Sequence, residues 1–333
     1  MIDFLPGRVD IWFKEQQILL DQSFALVGDA SSRKYARIIS RNKSYILVEY
    51  EQTETAKLSF ERFLFWQKKY KSHQLSVPEV LHVNNDHKYM VISDFGDTSL
   101  LAYLVGDGLL NQNTYLLKSI DLIASIQKLH ASETSHATNL IFNQEKLLFE
   151  LNTTLNYFTK TFSLSSLVAN HDEIVTLWKK LWTESFNPQE YVWCHRDFHA
   201  KNLMIFENEL KIIDFQDTMK GPITYDLCSL IHDCYFNYTL EQKEKFLLYA
   251  YEILASKDHV SKEAFLKSYY AVCAQRTFKA IGSFCYIFQE RKNYSYLRHV
   301  GLAMDHFGKS LKKLDTNESM MLFNLIVRPY YEI

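Results

Sequence analysis

The sequence predicts an α+β protein in two unequal parts: a small strand-rich N-terminal part and a larger, mostly helical C-terminal part. Three observations carry this reading. Between Phe24 and Ser93, short apolar runs of strand length are separated by polar turns. From about residue 99 onward, apolar residues recur at helical spacing over long stretches. Residues 191–220 interrupt that helical region with three further short apolar runs.

In chain order, Val9, Trp12, Phe13, Leu19 and Leu20 suggest one helix over residues 1–20. Ala25–Val27, Tyr35–Ile39 and Tyr45–Tyr50 read as strands, punctuated by Gly28-Asp29 and Arg41-Asn42. Residues 54–71 return to helical period through Leu58, Phe63, Leu64 and Trp66. Val80–Val83 and Tyr89–Ser93 read as two strands joined by the polar turn Asn84-Asn85-Asp86. The strand-rich part ends near Asp97, which sets expected domains of 1–97 and 98–333. Helices are expected at 114–131, 144–161, 171–185, 240–255, 261–290 and 295–313. The intervening short runs are Val192–Cys194, Leu203–Phe206 and Leu210–Ile213.

Composition narrows the function. The 333 residues hold 37 Lys+Arg against 39 Asp+Glu, a net charge of −2, so no global field draws the protein to nucleic acid or to an anionic membrane. Only 9 Gly and 5 Pro occur, where average usage would give about 23 and about 17. No G-x-G-x-x-G and no G-x-x-x-x-G-K-[ST] is present, which excludes a dinucleotide fingerprint and a P-loop. Cys194, Cys228, Cys234, Cys273 and Cys285 are odd in number and never spaced C-x-x-C. Reduced, buried thiols are expected rather than disulfides or a zinc site. Charges break the apolar residues of the N-terminus, and no 18-residue apolar run exists. The expectation is a soluble, cytoplasmic monomer.

The stretch richest in chemistry is His195-Arg196-Asp197-Phe198-His199-Ala200-Lys201-Asn202, followed by Ile212-Ile213-Asp214-Phe215. It has the form H-x-D-x-x-x-x-N and then an apolar strand ending in Asp. Phosphoryl transfer needs a carboxylate beside the attacking hydroxyl and oxygen ligands for Mg²⁺ on the ATP phosphates. Asp197 fits the first role, and Asn202 with Asp214 fits the second. Asp94-Phe95-Gly96 imitates a kinase metal-binding tripeptide, but it precedes the His195 motif where that tripeptide should follow. It reads instead as the connector between the two parts, with the Ser93–Phe95 backbone, through Asp94, placed to bond adenine.

Together these motifs resemble the aminoglycoside phosphotransferase-like kinases, which have a two-lobed protein-kinase-like fold. Further matches point to one branch, the anomeric N-acetylmuramate/N-acetylglucosamine kinases of peptidoglycan recycling. Gly28-Asp29-Ala30-Ser31-Ser32-Arg33-Lys34-Tyr35-Ala36-Arg37 resembles its N-terminal signature, and Asp94-Phe95-Gly96-Asp97 its connector. Asp214-Phe215-Gln216-Asp217 with Gly221-Pro222-Ile223-Thr224-Tyr225-Asp226-Leu227 is similar to its activation segment. Gln275-Arg276, Lys279, Gly282 and Phe284, with Tyr296-Leu297, are similar to its C-terminal helix pattern.

The resemblance implies a small β-rich nucleotide-binding lobe, a helical substrate lobe, and transfer of the ATP γ-phosphate to the C1 hydroxyl of an amino sugar. It implies that Asp197 orients the hydroxyl and that Asn202 and Asp214 hold Mg²⁺. His195 and Asp226 become structural supports of the loop. His199 either faces the sugar or packs within the loop, and Asp217 and Arg276 are further candidates to contact the sugar. The third strand, Tyr45–Tyr50, lacks the usual lysine. A cation for the phosphates must come from elsewhere, and Arg33, Lys34 and Arg37 are candidates beside the Ser31-Ser32 turn. Residues 261–333 carry 11 Lys and Arg against 6 Asp and Glu, which suits an acidic sugar better than a polycationic aminoglycoside. Other kinases of the superfamily, acting on an aminoglycoside, choline, homoserine or another sugar, remain open, as does a catalytically silent kinase-shaped binding protein.

Overall fold

A five-stranded antiparallel sheet, in the order β1-β2-β3-β5-β4, organises the N-terminal part. Its strands are β1 (Gln22–Leu26), β2 (Lys34–Ser40), β3 (Lys43–Glu49), β4 (Val80–Asn84) and β5 (Tyr89–Ser93). The computed structural model describes residues 7–26, 33–106, 112–130, 138–256 and 260–332. Contacts divide the chain into two units. The first is Met1–Leu100, Leu129–Asn139 and Asn202–Thr218; the second is Leu101–Lys128, Leu140–Lys201 and Met219–Ile333.

Alternation along the strands explains the first unit. Ala36, Ile38, Leu47 and Val91 face helix α1 (Gly7–Glu15), where Val9, Trp12 and Phe13 complete a buried cluster. Val48, Met90 and Ile92 are buried on the alternate face. Helix α2 (Glu54–Ser72) starts at Thr53, whose side chain accepts the Ala56 N–H, and its Phe60 meets Tyr50 edge-on at 5.3 Å. The β2–β3 hairpin turns on Arg41 and Asn42, both left-handed (φ 50° and 61°), as a two-residue hairpin requires. The helix expected over residues 1–20 is shorter among the described residues, because Gln17 turns left-handed (φ 55°) and ends it before β1.

The second unit holds most of the helices. These are α3 (Leu100–Val105), α4 (Gln112–Gln127), α5 (Gln144–Phe162), α6 (Ser165–Ala169), α7 (His171–Ser185), α8 (Tyr225–Ile231) and α9 (Leu240–Leu254). The series continues with α10 (Lys262–Arg291), α11 (Val300–Leu314), α12 (Asn317–Leu322) and α13 (Arg328–Tyr331). The thirty residues of α10 span about 45 Å and form the axis of the core. Trp178 of α7, Phe278 of α10 and Phe307 of α11 stack with centroids 4.9–6.2 Å apart. Among the described residues, no helix is long and apolar enough to cross a membrane.

Four short strands complete the chain. They are β6 (Val192–Cys194) paired with β9 (Met219–Gly221), and β7 (Leu203–Phe206) paired with β8 (Glu209–Ile212). The sequence pattern anticipates β6, β7 and β8 but not β9 or α8. All seven residues of α8 are buried, so it has no polar face to create a period.

One close approach fixes the helix geometry. A Cβ at Gly282 of α10 would lie 2.6 Å from the Thr154 Cα of α5 and 2.3 Å from its Oγ1. The two helices cross at this point with no space for a methyl group. Gly282→Ala is therefore expected to lower stability by about 1–3 kcal/mol. Urea denaturation should show a lower midpoint at unchanged m-value; an unchanged midpoint would contradict the crossing.

Candidate active site

In the first unit the β7–β8 hairpin brings two of the expected residues together. Glu207 and Asn208 form its left-handed turn (φ 53° and 61°), and Leu203 pairs with Ile212. Just beyond, the Ile213 N–H donates to the Asn202 carbonyl at 3.0 Å. Asn202 and Asp214 therefore flank the open end of one hairpin, although twelve positions apart in sequence. Asp214 is itself left-handed (φ 63°), and the next residue shows what holds it there. The Phe215 ring packs against Phe63 and Tyr70 of α2, with centroids at 4.8 and 5.2 Å. The Thr218 hydroxyl meets the Tyr70 hydroxyl at 2.9 Å and donates to the Phe215 carbonyl at 2.7 Å.

Asp214 Oδ1 accepts from Arg33 Nη2 at 2.9 Å and from Gln216 Nε2 at 2.8 Å. Arg33 lies over the rings of Tyr35 and Tyr50. Burial alone would lower its pKa, but Tyr35, Asp214 and Tyr50 outweigh that and raise it, so the guanidinium stays charged. Arg37 is engaged differently. Its guanidinium forks onto Asp94 (2.6 and 3.2 Å) and reaches Asp97 at 2.8 Å. Ser44 also donates to Asp94, as does the Gly96 N–H at 2.9 Å, with Gly96 left-handed at φ 74°. Burial would raise the Asp94 pKa, but the bonds from Arg37, Ser44 and Gly96 lower it on balance.

The connector is thus a turn wrapped around one carboxylate. The Ser93 N–H is used within the sheet, donating to the Glu79 carbonyl at 2.9 Å, so it is not a free donor for a base. Phe95 packs near Phe206 at 5.7 Å. Asp217 is partly exposed, with its carboxylate 4.0 Å from Arg62 Nη1. Ser31 and Ser32, with the rest of the Gly28–Ser32 turn, lie outside the described residues.

In the second unit the loop after β6 is built on one buried carboxylate. Asp226, in the first turn of α8, accepts the His195 N–H at 2.6 Å and the Arg196 N–H at 2.8 Å. Burial pushes the Asp226 pKa up, opposed by His195 and by these two N–H groups. Arg196 is left-handed (φ 83°), an uncommon state for a side-chain-bearing residue and one that needs such fixing. The other end of the same residue is also held, because Arg276 Nη1 donates to the Arg196 carbonyl at 2.8 Å.

Asp197 follows directly. Its carboxylate lies 3.9 Å from Arg276 and keeps about a third of its side chain exposed (34%). Burial would raise its pKa, but Lys279, Arg196, Arg276 and His199 together hold it well below the usual carboxylate range. Glu150 of α5 balances this basic group, with Arg196 at 3.3 Å, Gln275 at 2.9 Å and Lys146 at 3.6 Å. Burial lowers the Lys279 pKa, while Glu150 and Asp197 oppose that fall.

The remaining loop is tied down by Asp233, which accepts the Ala200 N–H at 3.2 Å and the Tyr235 N–H at 2.8 Å. Burial pushes its pKa up to about 6. His199 packs edge-on to Tyr235, and Lys201 lies over the same ring at 3.9 Å. His195 is fully buried.

Sequence reasoning misses Glu150, Arg196 and Asp233. Arg196 sits inside the motif, and Asp233 lies seven residues past Asp226. Glu150 carries no local signal, being one more charge on an amphipathic helix.

Asp226→Asn supplies one acceptor where two N–H groups need one each, and turns an amide N–H₂ toward the other. Its cost is expected to be about 1–3 kcal/mol in urea denaturation. A variant as stable as the parent would remove Asp226 as the support of this loop.

A model of the phosphotransferase enzyme family matches residues 25–254. The N-acetylmuramate/N-acetylglucosamine kinase of Neisseria meningitidis serogroup B is 30% identical over 236 residues, which is 68% of this chain and 65% of that protein. The protein of the same name from Pseudomonas aeruginosa is 27% identical over 232 residues, or 67% and 65%. The aligned chain thus spans 65% of the length of each of these curated relatives. Among solved structures, an ADP-bound aminoglycoside phosphotransferase superposes with a TM-score of 0.63 at 14% identity, covering 91% of this chain and 99% of that one. At that identity the likeness establishes the fold, which is the expected protein-kinase-like α+β fold. With most of its length matched by the family model, the chain belongs to the phosphotransferase enzyme family.

Proposed function

We propose that this protein is an ATP-dependent sugar kinase that transfers the γ-phosphate to the anomeric C1 hydroxyl of N-acetylmuramate or N-acetylglucosamine, acting as a cytoplasmic monomer. The observation that carries the reading is the state of Asp197, a partly exposed carboxylate kept ionised by Lys279, Arg196 and Arg276. A silent binding module has no need to hold an acceptor-facing carboxylate in that form. The relatives' names supply the sugar, and the basic surroundings of Asp197 favour an acceptor that bears a carboxylate, as a lactyl sugar does.

In this reading residues 1–97 handle the nucleotide and 98–333 the acceptor. Asp197 accepts a hydrogen bond from the attacking hydroxyl and takes up its proton as the bond to phosphorus forms. Arg276 and Asp226 hold the peptide on which Asp197 sits, and the buried His195, its ring against Phe198, supports the same loop. His199 and Asp217 are assigned to the sugar, with Arg276 closest to its reacting end. Asn202 and Asp214 offer an amide oxygen and a carboxylate, the hard donors that Mg²⁺ prefers, and Asp214 already attracts a cation in Arg33. These two residues would hold the metal, which supplies charge neutralisation on the ATP phosphates. Arg33, beside Asp214, would take the place of the missing strand lysine on the nucleotide. Ser31, Ser32 and Arg37 are assigned to the phosphates, and the connector Ser93-Asp94-Phe95 to the base through groups other than the Ser93 N–H, which the sheet uses.

A coupled ATPase screen over amino sugars, with phosphorus NMR of the product, tests the assignment. An anomeric phosphate on N-acetylmuramate or N-acetylglucosamine is expected, and turnover confined to aminoglycosides or choline would falsify it. Asp197→Ala should reduce kcat by about 10²–10⁴-fold while the far-UV circular dichroism stays unchanged.

The pH dependence follows from the sign of the Asp197 shift. Its pKa is depressed, so the carboxylate stays ionised as pH falls through the ordinary Asp range, and the acid limb of kcat/KM lies below that range. Lys279→Met removes the strongest depressing charge and should move that limb to higher pH. A limb that does not move would separate Lys279 from Asp197.

A further inference from the structure

Away from Asp197, the second unit gathers a set of side chains that phosphoryl transfer does not use. Cys228 of α8, His232 just past the end of α8, and Cys273 of α10 have their ligand atoms all within 4.8 Å of one another. The His232 N–H still bonds to the Cys228 carbonyl at 2.9 Å. The helical turn therefore continues and places the two side chains on one face, four residues apart. His232 Nδ1 lies 3.3 Å from Cys273 Sγ and 2.8 Å from the Tyr269 hydroxyl. His306 of α11 lies beside this group of three, its ring centroid 4.8 Å from that of His232 and edge-on to it.

The bland explanation is that buried thiols pack as small hydrophobes. It accounts for the cysteines and leaves His306 unexplained. That residue is 1% exposed, and neither of its ring nitrogens has a hydrogen-bond partner. A buried imidazole with both nitrogens unsatisfied is rare in a folded protein, whereas a ligand at one of them gives it a purpose.

We propose that Cys228, His232, Cys273 and His306 form a structural site for a thiophilic divalent cation, Zn²⁺ above all. Two sulfurs and two imidazoles are the donor set of closed, tetrahedral zinc sites. The charges balance: the cation displaces one proton from each thiol to solvent, and two thiolates cancel its double charge. That neutrality matters, because Lys243 of α9 and Lys309 of α11 already act on the two histidines. Four protein ligands leave no open position, so the ion is a staple and not a reagent. It joins α8, α10 and α11, and α8 carries Asp226, the support of the Asp197 loop.

Co²⁺ titration of the full-length, reduced, metal-free protein tests the site without reference to catalysis. Binding of a single Co²⁺ per chain is expected, with intense thiolate-to-cobalt bands in the near ultraviolet and tetrahedral bands in the visible. Equimolar Zn²⁺ should bleach both and raise the melting temperature. The thiolate bands should disappear in the Cys228→Ser/Cys273→Ser double variant, and the tetrahedral bands should collapse in His306→Gln. Absence of thiolate bands in the parent protein overturns the site even if the double variant fails to fold. A His306→Gln spectrum identical to the parent's overturns the four-ligand set.

Discussion

The second unit depends on a single carboxylate. Asp226 accepts the N–H groups of two consecutive residues, His195 and Arg196, and in doing so holds Arg196 in a left-handed conformation. Such a turn is unfavourable for a residue with a Cβ, and it persists only where its surroundings over-determine it. Here both ends of the Arg196 residue are restrained, the nitrogen by Asp226 and the carbonyl by Arg276. The direction of the next side chain, Asp197, follows from that restraint. Burying Asp226 costs desolvation, which pushes its pKa up on balance, and the two charge-assisted bonds offset part of that cost. Removing the carboxylate would leave two buried N–H groups without partners, so the anchor and the loop stand or fall together.

Charge in this unit is arranged in layers around that anchor. Arg276, Lys279 and Arg196 surround Asp197, and Glu150 compensates them from α5. Without Glu150, the three cations would stand over a single acidic group, and their mutual repulsion would push Lys279 toward its neutral form. Glu150 brings the set closer to balance and opposes the loss of charge on Lys279. A polycationic molecule would be repelled by the same cations.

The motif-bearing parts of this architecture are legible in the sequence because their chemistry is local. The strands β4 and β5, the helix α2 and the H-x-D-x-x-x-x-N run each declare themselves through period or spacing within twenty residues. Among the supports, His195 and Asp226 are reached only through the family resemblance, and the partnerships that span the chain are not legible at all. Glu150 reaches Arg196 across 46 positions, and Arg33 reaches Asp214 across 181. Nothing in the neighbourhood of Glu150 distinguishes it from a solvated helix charge, and only tertiary packing makes it a buried partner. Helix α8 is hidden for a different reason, since burial on all sides erases the period by which helices are recognised. Cys228 and Cys273 likewise pass for ordinary buried thiols until α8 and α10 are set side by side.

Glycine scarcity ties these observations together. Among the described residues, twelve non-glycine residues adopt positive φ, while the only glycine to do so is Gly96. Several sit where any hairpin demands them, as at Arg41-Asn42 and Glu207-Asn208, and their cost is met by the turn geometry itself. Arg196 and Asp214 are different. Both lie in the two motifs that carry chemistry, and glycine would relieve the backbone at either position. Glycine would also delete the guanidinium that bonds Glu150 and the carboxylate that Arg33 and Gln216 bind. The chain keeps the functional side chain and accepts the backbone strain, which Asp226 stabilises in one unit and the Phe63–Phe215–Tyr70 packing in the other. A shortage of glycine is therefore compatible with handling a nucleotide, provided rigid supports replace the flexibility that glycine would give.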